Sequence, residues 1–257
     1  MNQTQDFTKG VIWKQLLFFF FPILIGSFFQ QLYNTVDTII VGQAVGTSAL
    51  AAVGSTGNLT SLIVNFYVGL STGASVVIAQ YYGAQNDKKI HQAVHTSYTL
   101  AIVSGILMML FGLFFSYQCL DAIGTPHDIL NDATLYMQLY FLCMIPGAIY
   151  NIGAGILRAV GDSKRPLYYL IVCSIVNVVF DFIFVVIFHQ GIAGAAIATV
   201  IAQFVCAILV TIQLMRTNEV YKLTLSKMKF HLPVLKKIIM IGAPAGIQST
   251  MYSISNI

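Results

Sequence analysis

LFFFFPILIGSFFQQLYNTVDTIIVG, residues 17–42, runs for 26 residues without a lysine, an arginine or a histidine. A helix needs about 20 apolar residues to cross a bilayer, so this stretch can span one with residues to spare. Yet it carries Gln30, Gln31, Asn34 and Asp37. A carboxylate at membrane depth costs about 2.5–3.5 kcal/mol on insertion scales. Such a residue needs a reason to be there.

The composition around this stretch points the same way. Of 257 residues, 57% are hydrophobic and 9% are charged. A soluble domain has about 25% charged residues, so the chain reads as an all-α integral membrane protein. The net charge of +4 does not imply nucleic acid, because the basic residues sit in short loops between apolar segments and form no aromatic-interleaved stripe. Three of the four cysteines, Cys143, Cys173 and Cys206, lie inside apolar segments, and none, Cys119 included, pairs at metal-ligand spacing. They read as small buried hydrophobes. The first apolar segment is too long for the core of a signal peptide and has no small-residue cleavage site after it.

Lysine and arginine punctuate the chain into blocks. None occurs from Gln15 to Asp87, from Ile90 to Leu157, or from Pro166 to Met215. Each block is long enough for two spans joined by a turn, with breaks at 42–48, 121–132 and 189–191. The expected spans are 15–41, 50–81, 92–117, 133–157, 167–188 and 193–215, forming a six-helix lobe over 1–215. A linker over 216–232 leads to a seventh span over 233–257. The thirteen basic residues then fall before the first span, in alternate loops or, for Lys236 and Lys237, in the first turn of the seventh span, all on one side of the membrane. The opposite loops carry none. The positive-inside rule places that basic side, and the N-terminus, in the cytoplasm of a multi-pass protein of the cell membrane.

The seventh span resembles the first. Lys14 precedes Pro22 by eight residues, as Lys236 precedes Pro244, and Ser27 matches Ser249 and Asn34 matches Asn256 at one offset of 222 residues. Parallel repeats of this kind build many transporters. The reading is a repeat of about 220 residues, truncated one helix into its second copy, with a C-terminal lobe missing as the partner.

Two acids fall well inside spans, Asp37 and Asp181, and no lysine or arginine lies at similar depth to pair with them. An unpaired carboxylate there holds a proton or a cation. Gln30, Asn34 and Asp37 follow i, i+4, i+7 and share one helix face. Ser174, Asn177 and Asp181 do the same at i, i+3, i+7, and Thr199 and Gln203 add an i, i+4 pair on the sixth span. Carboxylate, amide and hydroxyl oxygens are what a hard cation takes. The bland alternative is interhelical glue, which suits Gln30, Ser174 and Gln203 as well as a ligand role does. It suits the costly aspartates poorly.

Pro22 removes one hydrogen bond early in the first span and can bend it. Gly69 and Gly73 form a GxxxG packing site. His91 and His95 are four apart in a basic segment, but with no third ligand near them they read as solvated rather than metal-binding. The Phe18–Phe21 run reads as lipid-facing or core.

The chain resembles the N-terminal part of a multidrug and toxic compound extrusion (MATE) transporter. The resemblance rests on Pro22 with YNTVDTIIVG (33–42), ALAAVGSTG (49–57), GILRAVGDSKRP (155–166) and NVVFDFIFV (177–185), and spans essentially all 257 residues. The loop LRAVGDSKRP is the most specific of these. The resemblance implies two six-helix lobes rocking about a central cavity. It implies export of organic cations or amphipathic drugs in exchange for H⁺ or Na⁺, with no other cofactor. It places the cation site on Asp37, Asn177, Asp181 and Thr199, and it ties bending at Pro22 to the proton cycle. Other branches of the family carry a glutamate eight residues after the seventh-span proline, where this chain has Tyr252.

Three other readings remain. A lipid-linked flippase of the same superfamily carries several cationic groups in its cavity, whereas none of the first six spans here contains lysine or arginine. A seven-helix receptor of the retinal type needs a lysine deep in its last helix, and none follows Lys237. A membrane enzyme needs a catalytic constellation, and the chain has no HExxH, no GxSxG and no paired catalytic carboxylates on one helix.

Overall fold

A computed structural model describes residues 11–255, except that the side chains at 12, 47–50, 52, 53, 55, 58, 59, 250 and 252–255 are not described. Lys9, Asn256 and the side chain of Tyr252 therefore lie outside the described residues. The described residues form eight α-helices. They are α1 (Ile12–Ala44), α2 (Thr47–Gly83), α3 (Asp87–Ala122), α4 (Leu130–Phe141), α5 (Met144–Ala159), α6 (Lys164–Asp181), α7 (Gly191–Arg216) and α8 (Leu232–Ser255). A π-helical turn, Phe182–Ile187, follows α6, and a short 3₁₀ turn, Leu225–Lys227, lies between α7 and α8.

The expected span 133–157 is instead two helices, α4 and α5, meeting at 45°. The cause is Pro146, two residues into α5. It has no N–H to give the Leu142 carbonyl, and its ring crowds that same carbonyl. The backbone tightens to i→i−3 bonds at the joint, Leu142 N–H to Leu139 O (3.1 Å) and Cys143 N–H to Tyr140 O (2.9 Å).

Five of the described helices are long and apolar enough to cross a membrane, or six if α4 and α5 count as one broken span. α8, the expected seventh span, is described with its side chains over only part of its length. Its middle reads Gly242-Ala-Pro-Ala-Gly246, small residues in place of large apolar ones. The reason is packing. A Cβ on Gly69 of α2 would lie 2.2 Å from the Gly246 Cα, and one on Gly73 would lie 2.7 Å from the Gly242 Cα. The two GxxxG faces touch backbone to backbone, which any larger residue would prevent.

Three helices end in the same way. At the close of α5 the Asp162 N–H reaches the Leu157 carbonyl (2.9 Å) and the Gly161 N–H reaches that of Arg158 (3.0 Å), with Gly161 at φ +86°. This is the Schellman arrangement, which needs a left-handed residue where glycine pays no Cβ penalty. Asp162 then turns to the next helix. Its Oδ1 accepts the Arg165 N–H (3.1 Å), and its Oδ2 lies 3.2 Å from the Arg165 guanidinium. The LRAVGDSKRP loop thus closes one helix and opens another. The ends of α2 and α3 repeat the arrangement around Gln85 and Gly124.

The core lies among α2, α3, α5 and α7, where Ile78, Val94, Tyr98, Ile152, Ile156, Val210 and Leu214 are buried. Ser71 and Ser75 of α2 donate to the Asn151 and Gly155 carbonyls of α5, both at 2.6 Å. On the outside, Phe18, Phe20 and Phe21 of α1 and Leu107 and Phe114 of α3 are exposed. The phenylalanine run therefore faces away from the core, as a lipid-facing surface does. Cys143, Cys173 and Cys206 are buried, and all four cysteines are free thiols.

Candidate functional site

α1 lies along α6, and a Cβ on Gly26 would sit 3.6 Å from the Leu170 side chain. This contact carries the polar end of α1 toward the polar end of α6. Asp37 is half-buried there, while Asp181, the last residue of α6, is fully buried. The two carboxyls lie within Coulombic range of each other. Asn177, one turn before Asp181, is buried and faces α7, where its Nδ2–H donates to Thr199 Oγ1 at 3.4 Å. Asp37, Asn177, Asp181 and Thr199 thus meet where α1, α6 and α7 converge.

The oxygens at this meeting point lack partners. Asp37 Oδ1, both carboxylate oxygens of Asp181 and Asn177 Oδ1 are buried without a hydrogen bond. Nearly all buried polar atoms in folded proteins are paired, and each exception asks for an explanation. Four exceptions on neighbouring helices, all of them acceptors, are the groups that a proton or a hard cation would satisfy. Their chemistry fits such a guest: oxygen donors only, with up to two negative charges. No cluster of three or more His, Cys, Asp or Glu residues suited to a transition metal occurs among the described residues.

The chain immediately after Asp181 departs from the α-helix. In the π turn the Phe188 N–H bonds to the Ile183 carbonyl at 2.9 Å, one residue further back than α geometry allows. Such turns insert an extra residue and often mark functional positions. Here the turn shifts the register of everything beyond Asp181.

The other sequence candidates are placed differently. Gln30 and Asn34 are exposed on the same side of α1, Gln30 about 10 Å up the helix from Asp37. Ser174 is buried, but its hydroxyl donates to the Leu170 carbonyl of its own helix at 2.8 Å. This places it with helix self-bonding rather than with a guest. Gln203, half-buried, lies one turn beyond Thr199. Pro22 is buried within α1, about 22 Å along the axis from Asp37. Any effect of Pro22 on the aspartates therefore travels through the helix.

Two residues at the site had not been singled out. Tyr136 and Tyr140 of α4 stack with ring centroids 6.2 Å apart, and both lie within Coulombic range of Asp37. Tyr136 is within range of Asp181 as well. Their i, i+4 spacing is the signal already used for the polar residues of the other spans. An open apolar hollow of about 300 Å³, bounded by Leu62, Ile63, Phe66, Met108, Ile247 and Met251, includes none of these residues.

Residues 22–183, well over half of the chain, match the model of the MatE family. The chain belongs to the MatE family. It is similar to the "Probable multidrug resistance protein YoeA" of Bacillus subtilis (strain 168), with 28% identity over 261 residues, covering 99% of this chain and 56% of the relative. It also superposes on crystal structures described as MATE in the bent and in the straight conformation. Each gives a TM-score of 0.87 at 27% identity, covering 94% of this chain and 54% of the other. The chain therefore spans about half the length of the relatives it matches. The all-helical membrane architecture is that of these structures.

Proposed function

We propose that this chain is the N-terminal lobe and the first helix of the second lobe of a secondary active antiporter. The complete protein exports organic cations or amphipathic drugs in exchange for H⁺ or Na⁺. The four unpaired oxygens of Asp37, Asp181 and Asn177 carry this reading. A carboxylate pair buried without a counter-charge binds a proton or a cation more tightly when it is closed off than when water reaches it. A site with that property, exposed alternately to the two sides, couples an ion gradient to movement. Thr199, held against Asn177, supplies a further oxygen. Tyr136 and Tyr140 of α4 lie within Coulombic range of Asp37.

The open flank of α1, with Gln30 and Asn34 exposed among Phe28 and Leu32, supplies an amphipathic wall for the cargo. Few fixed polar groups and many apolar ones favour loose selectivity. Pro22 supports this scheme as a bending point in α1. One of the similar structures is described as bent and another as straight.

The test is ethidium efflux from liposomes carrying the full-length protein, driven by a pH gradient and separately by a Na⁺ gradient. Efflux under one gradient and not the other names the ion, while no efflux under either overturns the antiporter reading.

The orientation has its own test. With every native cysteine replaced by serine, Ser226→Cys at the basic end is expected to resist a membrane-impermeant maleimide added to intact cells, and Asp128→Cys at the opposite end to react. The reverse pattern would place the N-terminus outside.

A further inference from the structure

The basic end of the bundle contains a cleft that lies outside the proposed ion site. It has a volume of about 580 Å³ and lies between the start of α3, with Lys88, His91 and Gln92, and the segment joining α7 to α8, with Ser226, Lys227, Lys229 and His231. The lining includes no aspartate or glutamate. Lys88, Lys227 and Lys229 are exposed, and none forms an ion pair with a carboxylate among the described residues. Three ammonium groups, two imidazoles, an amide and a hydroxyl therefore converge on one hollow with no anion to meet them.

The cleft is built rather than accidental. His95, fully buried behind His91, is not the solvated residue that its basic surroundings suggested. Its Nδ1–H donates to the His91 carbonyl at 2.7 Å, and its Nε2 accepts the Thr224 N–H at 3.1 Å. Both ring nitrogens are engaged, and together they pin the linker to α3. Buried Thr96 makes a second pin. Its Oγ1 accepts the His231 N–H at 3.1 Å and shares a hydrogen bond with His231 Nδ1 at 3.3 Å. In the tautomer in which Nδ1 accepts from Thr96, Nε2–H of His231 is a donor for a guest. The His91 ring stacks on His95 at 4.0 Å between centroids. Partial burial and the nearby Lys229 ammonium push His231 below the ordinary histidine range, as expected where positive charge is concentrated and unanswered.

We infer that this cleft is a binding site for a phosphate-bearing anion, held by Lys88, Lys227 and Lys229 with His231 and Ser226 as hydrogen-bond donors. Lysine ammonium groups bind phosphate as point charges, and neutral donors fix its orientation. The volume accommodates a phosphate with a polar substituent. Two sources offer this chemistry: the headgroup of an anionic phospholipid, and a soluble phosphate compound. Occupancy would brace the α7–α8 linker against α3.

The test uses full-length protein in phosphatidylcholine nanodiscs, titrated with pyrophosphate, and the same protein in nanodiscs doped with phosphatidylglycerol. The readout is the thermal unfolding midpoint, beside the triple variant K88Q/K227Q/K229Q. These lysines are exposed, so the variant is expected to fold. The wild type is expected to be stabilised, and the variant to bind at least about tenfold more weakly. Stabilisation by the lipid alone makes the headgroup the occupant, and stabilisation by pyrophosphate alone makes it a soluble phosphate. Stabilisation by both shows that the two share the site. Equal shifts in wild type and variant, no shift in either, or a shift reproduced by potassium chloride at matched ionic strength would overturn the proposal.

Discussion

Asp37→Asn combined with Asp181→Asn is expected to abolish ion-driven efflux by the full-length protein while leaving it folded and inserted. Asparagine keeps the shape of aspartate and removes its charge. Neither Asp181 oxygen nor Asp37 Oδ1 has a hydrogen-bond partner to lose, so the substitution breaks no bond. A buried unpaired carboxylate is costly, and its replacement should leave the unfolding temperature unchanged or raise it. That separates this outcome from simple misfolding, which would lower it. The site's function is exposed by binding as well as transport. If ion and drug compete through one conformational equilibrium, each lowers the other's affinity by the same factor, typically about 5–150-fold. Wild-type affinity for ethidium should then shift with pH or Na⁺ by a factor in that range, and the double variant should show none. Each single variant should lose most of the effect, because two carboxyls within Coulombic range act as a unit rather than additively. A double variant that still shows ion-dependent drug affinity would return both residues to a structural role.

What the sequence disclosed and what it hid divide along one physical line. Helical stretches depend on local composition, and the gaps between lysines and arginines point to them. The turns are equally local: Gly46, Gly124 and Gly161 sit at breaks, each at positive φ. Spacing puts Asn177 and Asp181 on one helix face, while the grouping of Asn177 with Thr199 came from the family resemblance. The features that stayed hidden depend on partners distant in sequence or on small backbone adjustments. Pro146 was visible as a residue, but its position at the start of a helix rather than inside one becomes apparent only once α4 and α5 are seen to diverge. The π turn lies in FIFVVI, a run whose composition suits an α-helix equally well. His95 looked solvated because its neighbours in sequence are polar, yet its burial comes from a linker 129 residues away. Tyr136 and Tyr140 passed as ordinary aromatic residues because their relevance depends on where α1 brings Asp37.

Gly69→Ala and Gly73→Ala are expected to destabilise the full-length protein severely, whereas Gly246→Ala is expected to be close to neutral. The four glycines of the α2–α8 contact are not equivalent. A methyl group on Gly69 would stand 2.2 Å from the Gly246 Cα and 2.3 Å from its nitrogen, and one on Gly73 would stand 2.4 Å from the Ile238 carbonyl oxygen. These neighbours are backbone atoms, which cannot rotate aside, so the helices must separate along the whole contact. Overpacking a core usually costs about 1–3 kcal/mol, with larger penalties where the surroundings cannot yield, and this contact belongs at the upper end. A methyl on Gly242 would meet the Gly69 carbonyl at 3.0 Å, an intermediate case, and one on Gly246 would meet its nearest neighbour at 3.4 Å, an ordinary contact. The unfolding temperature in detergent should therefore fall most for Gly69 and Gly73, less for Gly242 and least for Gly246. Transport should follow the same order, since α8 is the helix proposed to lead into the second lobe and α2 is its support in the first. The discriminating comparison is Gly69→Ala against Gly246→Ala, two alanines on facing sides of one contact. If both unfold at the wild-type temperature, α2 and α8 do not pack backbone to backbone. If both are equally damaging, the contact is real but symmetric, and the helices are closer at Gly246 than the structure shows.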